Sequence, residues 1–266
     1  SMDWIDFVYQ GKDSFNGGSV GASEHAVMCV DGKDGEVDTI RRIITLPEFE
    51  DGVVSIVSDT WDFWHVITEV AQELKPVILG RKFNALGLSK VVFRPDSGDP
   101  ADVICGTARS VKSLDWDGLK PIYLEVGKDQ VRRGVFGVEA IVVEYQGKYY
   151  QVVETPTPSP AAPLFKEVTP TPQQKGAVAC LWDGFGGEIT DKGYKAVSQR
   201  VGLIYGDSIT PEIALDVLKR LEAKGFASCN IVFGIGSYTY QYITRDTLGA
   251  AIKATFAVVN GVGREM

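Results

Sequence analysis

The sequence predicts an α/β fold with parallel strands, and two observations carry that reading. Four short β-rich runs each end in a polar or glycine-bearing loop and lead into a helical pattern, at residues 52–74, 90–104, 201–225 and 229–253. Strand, loop and helix repeated in this order require crossover connections, which set strands parallel. Composition agrees: 266 residues, 44% hydrophobic and 23% charged, suit one large globular domain or two small ones and suffice to bury a sizeable core.

Taken in order, "GVVSIVSDTWDFWHVITEVAQEL" at 52–74 passes from a β-branched run through an acidic loop into a helix. "KVVFRPDSGDPADVI" at 90–104 does the same through a loop that Pro95 and Pro100 stiffen. The unit at 201–225 is the clearest. Thr210 caps a helix with Pro211 in its first turn and Glu212 near the positive end of the dipole; Ile213, Leu215, Val217, Leu218 and Leu221 form the apolar stripe, and Gly225 stops it. In "CNIVFGIGSYTYQYITRDTLGAAIK" at 229–253 a glycine-rich turn separates strand from helix. Residues 106–175 break the rhythm. "PIYLEVGKD" and "GVEAIVVEYQGKYYQVVE" read as strands, the second a hairpin turning at Gln146-Gly147, and 155–172 as an extended proline-rich segment. The chain therefore divides into residues 1–105, a small β-rich insertion at 106–175, and residues 176–266.

A formal net charge of −8, with acids and bases mixed throughout, argues against a nucleic-acid surface, which needs clustered Lys and Arg. No apolar run reaches the roughly 18 residues of a membrane span, and no signal-type segment opens the chain. The expectation is a soluble, cytoplasmic protein without membrane or nucleic-acid partners. Cys29, Cys105, Cys180 and Cys229 include no CxxC pair, which predicts free thiols, and with only His25 and His65 a histidine-rich metal centre is excluded.

Ligands of parallel α/β folds collect at the carboxyl ends of the strands. Those ends carry Asp59 and Asp62; Arg94, Asp96 and Ser97; Gly206 and Asp207; and Gly234, Gly236 and Ser237. Carboxylates after three strands and a glycine turn before a helix suit a sugar phosphate, because acids accept from ribose hydroxyls or hold magnesium while glycine amides bind phosphate. Each piece alone also reads as a helix cap or a tight turn. His25, in "GASEHAV", reads from its neighbours as a buried, satisfied histidine more readily than as a catalytic one.

The motifs "GGSVGASEHAV", "VVSIVSDTWD", "FRPDSGDP", "GLIYGDSIT", "NIVFGIGS" with "TRDTLGAAIKAT", and "VVNGVG" resemble, in order and approximate spacing, nicotinamide phosphoribosyltransferase, most of all its bacterial and phage branch. The resemblance covers roughly residues 8–105 and 176–263. It implies an irregular, incomplete α/β barrel of the type II phosphoribosyltransferase kind, interrupted by the insertion. It also implies transfer of phosphoribose from 5-phosphoribosyl pyrophosphate to nicotinamide, with Mg2+, with ATP hydrolysed through a phosphohistidine as a coupled activity, and a homodimer whose interface holds the active site.

By residue-for-residue matching, His25 would be the phosphorylated histidine and Asp59 the acid that orients it. Asp96 and Asp207, with Gly206, would hold the ribose hydroxyls. Arg94 would face the pyridine ring and phosphate, and Ser55 would lie near the carboxamide. Gly236 and Ser237 would receive the 5-phosphate, and Arg245 and Lys253 would meet phosphate or pyrophosphate oxygens. Members of the family are nearly twice as long, so the chain reads as their C-terminal, catalytic-loop portion. The alternatives are a nicotinate phosphoribosyltransferase, which accepts a carboxylate in place of the amide, and a non-catalytic phosphosugar-binding or oligomerisation module.

Overall fold

A computed structural model of the chain describes residues 20–122, 124, 141–153, 164–206, 209–234, 247, 249, 255–259 and 261–265. Its strands, in chain order, are β1 (Gly21–Ala22), β2 (Gly52–Val57), β3 (Ser89–Arg94), β4 (Arg109–Ser110), β5 (Val142–Tyr145), β6 (Lys148–Val153), β7 (Leu164–Val168), β8 (Gly187–Ile189), β9 (Lys195–Val197), β10 (Val201–Tyr205), β11 (Ile231–Phe233), β12 (Phe256–Val259) and β13 (Val262–Glu265). β1, β2, β3, β10 and β11 lie side by side in that order, and every neighbouring pair is parallel. The molecule is thus α/β with a parallel sheet. All five strands send their following loops to one edge.

Helices cover one face of this sheet. Register sets Val54, Ile56, Val91, Phe93, Val201 and Leu203 toward them. They meet Ile40 and Ile44 from the helix Glu36–Thr45, Val66, Ile67 and Val70 from the helical stretch 63–80, and Val217 and Leu221 from the helix Pro211–Ala223. Each of these aliphatic side chains contributes about 1.5–3 kcal/mol by leaving water. Caps fix where the helices begin. Asp62 accepts from the backbone of Trp64 and His65, Asp99 from Ala101 and Asp102, and Thr210 from Ile213.

Leu215 departs from the stripe expected of it: it is exposed, while Val217 and Leu221 are buried. Two residues along a helix is about 200° of rotation, which turns Leu215 away from the face that packs. The helix expected within 229–253 lies outside the described residues. All four cysteines are free, and burial pushes the thiols of Cys105 and Cys180 up to about 11. No helix among the described residues is long and apolar enough to cross a membrane.

Between β3 and β10 the chain builds a second sheet, ordered β4-β5-β6-β7, with β4 parallel to β5 and the other pairs antiparallel. The hairpin turns at Gln146 (φ 50°) and Gly147 (φ 77°), the paired positive dihedrals that match strand twist. Residues 116–122 and Leu124 are helical, which corrects the start of the strand expected at "PIYLEVGKD"; the rest of that run lies outside the described residues. Asp115 explains it: its carboxylate accepts from Gly118 N and Ser113 Oγ and starts a helix, so Leu119 and Ile122, three apart, fall on one face. With Val143 and Val152 they form a small core of their own.

The chain leaves the main body at Gly106 and returns at Gly176, and these two residues touch. A Cβ on Gly106 would lie 2.3 Å from the Gln174 carbonyl oxygen, and one on Gly176 would lie 2.3 Å from Gly106 N. Thr107 N donates to Gln173 O and Ala108 N to Gln174 O, closing the neck.

Candidate active site

The site is assembled by three neighbouring strands. Beyond β1, Ser23 N donates to Ser55 O, and Ser23 Oγ accepts from Val57 N at 2.9 Å, so the segment leading to His25 is pinned to β2. His25 then opens a helical turn, His25–Met28, with its side chain about half exposed. Its Nδ1 lies 3.1 Å from Thr60 Oγ1, while Nε2 lies 3.8 Å from Asp59 Oδ1 and 3.7 Å from Asp96 Oδ2. The two carboxylates are at ion-pair rather than hydrogen-bond range. His25 is therefore not the buried, satisfied histidine that its neighbours suggested.

Asp59 follows β2 and is 7% exposed. One of its oxygens, Oδ2, accepts from Asp96 N at 2.9 Å and from Ser97 Oγ at 2.6 Å; the other, Oδ1, is buried without a hydrogen-bond partner. The carboxylate thus staples the "RPDSG" loop with one edge and offers the other edge toward His25. This anchor stiffens the loop in addition to Pro95 and Pro100.

Arg94 ends β3. Its Nη2 donates to Ser23 O at 2.8 Å and stands 3.6 Å from Asp96 Oδ2 and 3.7 Å from Glu24 Oε1, while its Nε is buried and unpartnered. Arg94 and Asp96 face each other across this gap. Burial lifts the Asp96 carboxyl above the usual range; Arg94 opposes that, Asp59 reinforces it, His25 opposes and Glu24 reinforces. Ser55 lies on the same face of the sheet as Arg94, since Ser55 pairs with Val92 and Val57 with Arg94, and its Oγ is buried without a partner.

Gly206 follows β10 and comes close to Gly234, which follows β11. A Cβ on Gly234 would stand 2.7 Å from Gly206 Cα, so only glycine allows these two strand ends to approach. Asp207, Gly236, Ser237, Arg245 and Lys253 lie outside the described residues. Among the described residues no three His, Cys, Asp or Glu side chains are grouped to hold a metal ion. Of the expected residues, then, His25, Asp59, Arg94 and Asp96 converge, and Ser55 and Gly206 lie on adjoining strands. Sequence reasoning missed Ser23, Glu24 and Thr60 and gave Ser97 no role. Their only sequence signal is adjacency to His25, Asp59 and Asp96.

Residues 7–266 match the model of the nicotinate phosphoribosyltransferase (NAPRTase) family. The chain belongs to that family. A nicotinamide phosphoribosyltransferase of Acinetobacter baylyi is 45% identical over 264 residues, 98% of this chain and 41% of that protein. One of Mycoplasma pneumoniae is 32% identical over 251 residues, 93% of this chain and 41% of that protein. One of Xanthomonas campestris is 25% identical over 245 residues, covering 92% and 36% respectively. This NAPRTase-family chain therefore spans about two-fifths of the length of the curated relatives it matches. The family match includes residues 106–175, where the motifs alone had shown little resemblance.

Proposed function

We propose that this chain is the catalytic-loop portion of a nicotinamide phosphoribosyltransferase. With the remainder of such an enzyme it joins nicotinamide to 5-phosphoribosyl pyrophosphate, giving nicotinamide mononucleotide and pyrophosphate in cytoplasmic NAD biosynthesis. The observation that carries the reading is the convergence of His25, Asp59, Arg94 and Asp96 at the carboxyl ends of neighbouring parallel strands. Ser55 and Arg94 each keep one buried polar atom without a partner, which a polar substrate would satisfy. The names of the relatives favour the amide over the acid as the base.

Breaking the anomeric C–O bond builds positive charge on the ribose and negative charge on departing pyrophosphate. Asp96 and Asp207, with Gly206, hold the ribose hydroxyls and stabilise the cation. Arg94 meets the ring and phosphate, Ser55 the carboxamide, Gly236 and Ser237 the 5-phosphate, and Arg245 and Lys253 the pyrophosphate. Mg2+ commonly binds through one or two carboxylates plus substrate phosphates, which suits Asp96 and Asp207; it would neutralise the leaving group. In the coupled activity His25 takes the γ-phosphoryl group of ATP as the bond to ADP breaks, and water later removes it, with Asp59 orienting the ring. The parallel sheet is one arc of an irregular α/β barrel, and the complete enzyme is a homodimer.

The deciding test is a steady-state assay of the full polypeptide containing this chain, with nicotinamide and nicotinate side by side. The expected result is a higher kcat/KM for nicotinamide. A preference for nicotinate would replace this reading with the acid-specific one, and no turnover of either would leave a phosphosugar-binding module.

A further inference from the structure

Tyr205 ends β10 and sits where three strand-end loops meet. Its side chain is buried, yet its hydroxyl donates to Gly98 O at 2.9 Å, in the loop that follows β3. Its own carbonyl accepts from Gly234 N at 2.9 Å, at the end of β11, and the next residue along the chain is Gly206. Nothing in the reaction as outlined uses Tyr205. A buried phenol hydroxyl finds a partner as a rule, but here that partner is the turn two residues beyond Asp96.

Asp96 needs such support. Its carboxylate stands 3.6 Å from Arg94 Nη2 and 3.7 Å from His25 Nε2, both beyond hydrogen-bond range, so the backbone that carries it sets its aim. That backbone is tied on two other sides. Asp96 N and Ser97 Oγ donate to Asp59 Oδ2 towards β2, and Asp99 caps the helix Pro100–Cys105 through Ala101 N and Asp102 N. Between these ties lies Gly98 at φ 92°, a conformation that suits glycine and that glycine also leaves easily. The Tyr205 hydroxyl holds the peptide plane there.

We propose that Tyr205 is a positioning residue for Asp96: by holding Gly98 O from the end of β10, it fixes the Asp96 carboxylate relative to Gly206, so that the two ribose-binding loops keep one spacing. This rests on the reading of Asp96 and Gly206 as holding the ribose hydroxyls. Hydroxyls of a single ribose demand a fixed separation of the groups that receive them, and a misplacement of about 1 Å can cost about 100-fold in rate. An aromatic ring turns about few bonds, so it transmits that spacing where a longer, flexible side chain would not.

The test is a double-mutant cycle in the full polypeptide, read by steady-state kinetics with nicotinamide and 5-phosphoribosyl pyrophosphate. Tyr205→Phe removes the hydroxyl and keeps the ring; it should lower kcat about 10–100-fold with the KM for nicotinamide little changed. Introduced into Asp96→Asn, the same substitution should cost less than about threefold, because the group it positions is already disabled. Leu203→Val, which trims the same buried face of β10 without touching the loop, should lower the melting temperature and leave kcat as it is. If Tyr205→Phe does not fold, Tyr205→Met supplies the variant without a hydroxyl. Normal kcat in that variant, losses that multiply in the double variant, or an equal loss of rate in Leu203→Val would each overturn the proposal. Normal kcat in Asp96→Asn itself would overturn the parent reading, and the proposal with it.

Discussion

Asp96 and Asp102 are six residues apart, comparably covered, and held in opposite electrostatic states. Asp102 Oδ1 accepts from Arg220 Nη2 at 2.9 Å and Arg109 Nη1 at 3.1 Å. Burial would raise its carboxyl, but the two guanidinium groups and their hydrogen bonds outweigh this and hold it below the usual range. Arg220 and Arg109 also bond the Gly106 carbonyl, so the cluster ties the helix Pro100–Cys105 to the helix Pro211–Ala223 and to the start of the second sheet. Asp96 has an arginine beside it too, yet at 3.6 Å, and its carboxyl is raised. The fold can satisfy an acid fully where the acid is structural. At the strand ends it leaves acids and an arginine under-compensated, as a site completed by a polar substrate would.

The largest expected effect is at His25. Replacing it with alanine in the full polypeptide should abolish acid-labile, base-stable phosphate incorporation from labelled ATP while leaving some uncoupled transferase activity. Incorporation that survives would move the phosphosite elsewhere.

Next come the site acids. Asp96→Asn should lower kcat about 10²–10³-fold, as loss of one electrostatic contact to a transition state does, with the melting temperature held or raised because a carboxyl that resists ionisation is removed. Asp102→Asn should do the reverse, costing about 3 kcal/mol in urea unfolding by leaving Arg109 and Arg220 unbalanced, with kinetics of the folded fraction near normal. If both variants lose stability alone, the contrast between the two acids is only one of packing.

The smallest effect sharpens the contrast. Glu36, at the start of the helix Glu36–Thr45, is buried, has an unpartnered Oε1, and its carboxyl is pushed to about 7, chiefly by burial, with His65 opposing, Asp62 reinforcing and Lys33 opposing. The folded state therefore binds this proton more tightly than the unfolded state does. Stability should fall as pH rises from about 4.5 to about 7, by on the order of 2 kcal/mol. Glu36→Gln should flatten that part of the profile without changing kcat/KM. A matching loss of activity would mean that under-compensated acids do not mark the site.

Much of this arrangement was legible because strand–loop–helix units put all loop residues at one sheet edge. Asp59, Arg94 and Asp96 follow β-branched runs, and parallel pairing needs only that periodicity to bring them together. His25 was not legible from its own neighbourhood. β1 is two residues long, and its segment is held by bonds to β2 that no local pattern records. Thr60 was invisible for the same reason, since its partner lies 35 positions away. At Pro121 and Ile122, the start of a run read as a strand, a capping aspartate and two apolar residues three apart set a helix instead. Leu215 shows the converse: the periodicity was sound and one member was assigned to the wrong side.

The contact between Gly106 and Gly176 bears on how this protein can change over generations. Departure and return coincide at the neck, and beyond it Arg109 with Asp102 and Glu144 with Lys224 also hold the second sheet against the body. Closing a longer or shorter chain across a fixed gap costs only about 0.6 kcal/mol per doubling. Lineages could therefore vary the length of that sheet's turns at little thermodynamic cost, provided that Arg109 and Glu144 keep their partners on the body. What they could not easily alter is the neck, since any side chain at either glycine would force two backbones apart.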